Sequence, residues 1–145
     1  MRFDSINIAV ILLLITVAGL MMYAFTFIIF GGFNLLSGFS YIGKTEAEIL
    51  AFDPTLHVTI NTALRTLGFT DLALGELAIF VIVIPFRKKE KWAWISTFIV
   101  VLIFTLPILI IQAFTIGLTF YLLIIFIVIQ IAALGITFKD FFKKE

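Results

Sequence analysis

Arg65, Asp71 and Glu76 are the residues best placed to do chemistry, because no other charges lie inside a long apolar segment of this 145-residue chain. An ionised side chain in the middle of a bilayer costs about 3 kcal/mol on insertion scales, so such groups are kept for a purpose. Two purposes fit. Glu76 and Asp71 could hold a proton or a cation, with Arg65 as counter-ion or anion contact. Alternatively, all three are interhelical glue, each satisfied by another helix or another subunit. The second purpose is the expectation adopted here, because helices one, three and four offer no second acid.

Their spacing sets which can act together. At about 100° per residue, His57, Asn61, Arg65 and Glu76 fall close to one helical face, and Asp71 lies on a neighbouring face with Gly68 and Gly75. Measured from the helix end near Phe86, Glu76 sits roughly 15 Å deep, Asp71 roughly 22 Å and Arg65 roughly 32 Å. Gln130, roughly 12 Å deep on the last helix, is the expected neutral partner of Glu76. Gln112 matches the depth of Arg65, and Pro107 that of Asp71. His57 reads as a surface residue at a helix start. The small residues Gly68, Gly75, Ala78 and Gly135 are expected to permit close helix packing.

Other chemistries find no support. The chain has no cysteine and one histidine, which excludes disulfides, thiol chemistry, iron–sulfur clusters and an ordinary zinc site within one chain. Serine, histidine and carboxylate never meet at nucleophile spacing, so no catalytic residue and no cofactor is assigned. A net charge of +1 gives no field that would attract nucleic acid. The eighteen phenylalanines read as lipid-facing bulk.

The elements that position these residues follow from composition. With 63% hydrophobic residues, 13% charged and a mean hydropathy of +1.24, the apolar excess is too large for one small globular core. Lipid must surround it. The expected fold is all-α: a single membrane domain over 1–145, with four transmembrane helices near 6–30, 54–85, 92–114 and 118–138. Asp4 and Ser5 can cap the first helix, whose apolar run is too long for a signal peptide. The external loop 31–53 carries a short surface helix from about Glu46 to Phe52, opened by a Thr45–Glu48 capping box, with Ile49, Leu50 and Phe52 free for the membrane surface. Asp53 then caps the second helix with Pro54 at its first position, and Pro85 stops it. Trp92 and Trp94 beside the basic loop Arg87–Lys91 are expected at a headgroup boundary. Pro107 should kink the third helix, and Thr115–Gly117 should form a tight turn. The tail after Phe138 is expected to be interfacial, with Phe141 and Phe142 towards lipid and lysines towards phosphates.

Arg2, Arg87, Lys88, Lys89, Lys91, Lys139, Lys143 and Lys144 fall on one side of a four-crossing chain, against Lys44 alone on the other. The positive-inside rule then places both termini in the cytoplasm of a multi-pass cell-membrane protein.

The run Arg65-Thr66-Leu67-Gly68-Phe69, continuing through Leu72-Ala73-Leu74-Gly75 to Arg87 and then Lys91-Trp92-Ala93-Trp94, resembles small four-helix membrane proteins of the DoxX-like type. The likeness covers about the middle third of the chain and implies a four-helix bundle without implying an activity. The expected function is a non-enzymatic structural or accessory subunit that packs in a homo-oligomer or a larger membrane complex. The alternative is a small transporter or ligand-binding bundle that uses the intramembrane carboxylates.

Overall fold

The computed structural model describes residues 4–31, 45–100, 103, 105–113 and 118–143, and within these the side chains of 111, 112, 118 and 119 are not placed. The described residues are helical, with no strand among them. In chain order they form α1 (Ser5–Phe30), α2 (Glu46–Phe52), α3 (Pro54–Val81), a π-helical turn (Ile82–Phe86), α4 (Lys91–Val100), α5 (Leu106–Gln112) and α6 (Leu118–Phe142). Among the described residues, three stretches are long and apolar enough to cross a membrane: Ser5–Phe30, Pro54–Phe86 and Phe120–Phe142. Residues 32–44 of the expected external loop and the turn at 115–117 lie outside the described residues, as do Arg2, Lys44, Lys144 and the end of the third helix at Phe114.

Helix starts follow local capping chemistry. The Asp4 side chain accepts from Ile6 N at 3.2 Å and opens α1. That backbone bond, with the Ser5 hydroxyl second, holds the Asp4 carboxyl below its ordinary range. Thr45 and Glu48 close a reciprocal capping box on α2. Asp53 accepts from Thr55 N at 2.8 Å and Leu56 N at 3.3 Å, and Pro54 fills the first helical position, where its missing N–H costs nothing. Asp53→Ala is expected to cost about 1 kcal/mol, visible as faster hydrogen exchange at the Thr55 and Leu56 amides. Exchange left unchanged there would show that the carboxylate does not cap.

Pro85 does not end the second long helix. The helix widens into the π-turn and runs on to Phe86. A proline removes one N–H and drives its ring towards the carbonyl four residues back, and a wider turn relieves both. The chain then reverses through Arg87–Lys89, with Lys89 in the left-handed region at φ 60°. Pro107 is the second residue of α5, and the described residues just before it, Ile103 and Thr105, are π-helical.

α1 is the centre of the bundle, antiparallel to both α3 and α6. Along α1, Ala24 faces Gly68 and Met21 faces Gly75 on α3. Fourteen residues separate Ser5 from Gly19, and the same number separates their partners Asp140 and Phe126 on α6. The core gathers at one end, where Ile6, Val10, Leu13, Ile82, Phe86 and Ala93 meet Ala133, Leu134 and Phe141.

α6 continues to Phe142, four residues past the expected end at Phe138. The core corrects the expectation that Phe141 and Phe142 face lipid: Phe141 is buried with its ring 4.8 Å from Phe86, and Phe142 packs edge-on to Trp94 at 5.2 Å. Trp94 also turns inward, its indole N–H donating to the Leu134 carbonyl at 3.1 Å and its ring stacking on Phe98. Trp92 remains exposed, with its N–H on Glu90. On α2, Ile49 is buried while Leu50 and Phe52 are open.

Candidate functional site

The helix α3 carries three of the five candidate residues, and its contact with α1 decides where each one points. A Cβ at Gly68 would lie 2.8 Å from the Ala24 carbonyl oxygen, which fixes Gly68 at the centre of the seam. Asn61 and Gly75, seven residues to either side, stay within about 20° of it, and Ile82 within about 40°. Asp71 falls roughly 60° to one side, the side of Ala78, which lines the bundle interior with Gln130. Arg65 and Glu76 fall roughly 60° and 80° to the other side. Asp71 is accordingly half-buried, and Arg65 and Glu76 are exposed.

The sequence therefore grouped Arg65 with Glu76 correctly and separated Asp71 correctly. It did not foresee that the two groups occupy opposite lips of one seam. Arg65 reaches across the seam, its Nη2 donating weakly to the Ile29 carbonyl at 3.5 Å. Glu76, about 16 Å further along the same lip, makes no hydrogen bond or ion pair among the described residues. Gln112 ends α5, and its side chain lies outside the described residues.

Gln130 is not the partner of Glu76. It is only 5% exposed and faces inward to α1, whereas Glu76 faces away from the bundle. The depths of the two residues agree, but helix rotation had no signal in the sequence, and rotation keeps them apart. Gln130 instead lines a cavity of about 50 Å³ with Leu13, Thr16, Val17, Ala78, Ile82, Thr97 and Val100. Thr16 and Thr97 are the polar residues that sequence reasoning missed. Single threonines in aliphatic runs look like filler, since each can donate to its own helix. Here Thr16 donates to the Leu13 carbonyl and Thr97 to the Ala93 carbonyl, both at 2.8 Å.

Comparison with protein-family models, curated proteins and solved structures finds no match. Function has to be argued from the arrangement alone.

Two further polar contacts complete it. His57 Nε2 lies 3.0 Å from Glu46 Oε1 and ties the start of α3 to α2. The buried Asn61 Oδ1 lies against the Cα of Gly31, where φ is 61° and any side chain would collide with it. Of the expected small-residue contacts, Gly68 and Gly75 form close ones, whereas Gly135 has nothing within 4 Å of where a Cβ would stand. No group of three or more acidic, histidine or cysteine side chains that could hold a metal occurs among the described residues. What the site offers chemically is hydrogen bonding: a carboxylate and a guanidinium on an outward lip, and a buried amide with two hydroxyls within.

Proposed function

We propose that this protein is a non-enzymatic structural or accessory membrane subunit that assembles, with copies of itself or in a larger complex, through the lip of α3 that carries Arg65 and Glu76. In this reading α4 and α5 together make one bent crossing, giving four in all, with both termini cytoplasmic under the positive-inside rule. The resemblance to DoxX-like four-helix proteins agrees with that count.

The single observation behind the proposal is Glu76, exposed on the outside of the bundle and ten residues inside the end of a 33-residue apolar stretch. Carboxylates at that depth face a bundle interior, a cavity or a partner. Glu76 faces none of these within the described chain, so a neighbouring subunit supplies the remaining option. Leu72, Phe69 and Phe80 surround it with side chains suited to helix packing, and Phe69 and Phe80 are exposed.

Native mass measurement in mild detergent tests this. The expected result is a wild-type species heavier than the 16.3 kDa chain. Polar contacts between membrane helices contribute about 1–2 kcal/mol, so Glu76→Leu should weaken association by about tenfold. Glu76→Gln, which keeps a hydrogen-bonding end, should weaken it less. A wild-type monomer, or Glu76→Leu assemblies as stable as wild type, would overturn the proposal.

A further inference from the structure

A departure from regular helix borders a small polar space. Ile82 opens the π-turn, and it lines the cavity of about 50 Å³ that also receives Gln130, Thr16 and Thr97.

The polar atoms in this space are short of donors. Gln130 Oε1 is buried and has no hydrogen-bond partner. The Thr16 and Thr97 hydroxyl hydrogens are committed to the Leu13 and Ala93 carbonyls, so what these side chains still offer is oxygen lone pairs. A buried amide oxygen left unsatisfied carries its full desolvation penalty.

We propose that this cavity is a binding site for one water molecule, which donates to Gln130 Oε1 and to a threonine oxygen. A water needs about 10–15 Å³ of space of this kind and two to four polar partners, and the cavity meets both needs. A bare alkali or alkaline-earth cation wants about six oxygens, and the side chains here supply three, all uncharged. The site lies where α1, α3, α4 and α6 meet, and the water bridges α6 to α1 or α4. The inference stands on Gln130 and does not depend on Glu76 or on assembly.

Water-to-methyl cross-relaxation, measured by NMR on the full chain in detergent micelles with labelled Leu, Val and Thr methyls, tests it. Wild type should show long-lived water contacts at Thr16, Thr97 and Val17, and Gln130→Leu should lose them while the rest of the spectrum persists. Should Gln130→Leu fail to fold, Gln130→Met is read the same way. Absent contacts in wild type, or undiminished contacts in either folded variant, would overturn the site.

Discussion

Gly68→Leu is expected to destabilise the protein by about 3 kcal/mol, the upper end of what overpacking a close-fitting core costs. A Cβ at this position would stand 2.8 Å from the Ala24 carbonyl oxygen, 2.9 Å from Ile28 Cγ1 and 3.1 Å from Phe27 Cβ. The first of these is backbone and has no rotamer to escape into, so α1 and α3 must part along their whole length. Gly75 provides the contrast. There the nearest atoms belong to the flexible Met21 side chain, which can swing away, and Gly75→Ala should cost much less. Gly135→Ala meets nothing within 4 Å and should be stabilising by up to about 1 kcal/mol through helix propensity alone. Unfolding by titration with a denaturing detergent ranks the three. Gly68→Leu with wild-type stability would show that the seam is not formed as described.

Phe86→Ala should be nearly as damaging, at about 3 kcal/mol. Phe86 is fully buried, with the Phe141 ring tilted against it at 4.8 Å, and it joins the end of the π-turn to α1 and α6. The value sits at the low end for phenylalanine truncation because lipid, unlike water, also solvates the released ring in the unfolded chain. What is lost is mainly contact around a cavity too well walled to collapse. The same titration measures it, with Phe138→Ala as the comparison, since Phe138 is 51% exposed. Equal costs for the two variants would refute the core assignment at this end of the bundle.

Much of the architecture was legible in residue order because its signals are local. Asp53-Pro54 and the Thr45–Glu48 pair start helices through contacts spanning two or three residues, and both occur as expected. The extents of α1 and of α2 were readable for the same reason. Where a residue's role depends on a distant helix, the signal failed. Trp94 next to a basic loop has the composition of a headgroup anchor, yet the Leu134 carbonyl and Phe138, forty residues on, draw it inward. Phe141 sits among lysines and still packs on Phe86. Pro85 looked like a stop because a proline's effect on its own helix is local, whereas the packing of Ile82 and Phe86 in the core favours a widened turn over a break.

The candidate site shows the same division. Depth along a helix is countable, so Glu76 and Gln130 were placed at similar levels. Rotation about the axis is set by which stripe the neighbour accepts, and Gly68 against Ala24 settles that for α3. Once that one contact is known, the flanks on which Asp71, Arg65 and Glu76 lie follow from helical geometry.

The Ser5 hydroxyl touches the Asp140 carboxylate, bringing the opening turn of the first helix against the closing turn of the last. During synthesis α1 is therefore inserted long before one of its two principal neighbours exists. It can pair with α3 while translation is still under way, but its other face, with Ala9, Leu13 and Thr16, stays uncovered until α6 leaves the ribosome. Maturation of the bundle is thus a ring closure, and a chain truncated ahead of Leu118 leaves α1 without one of its two principal neighbours.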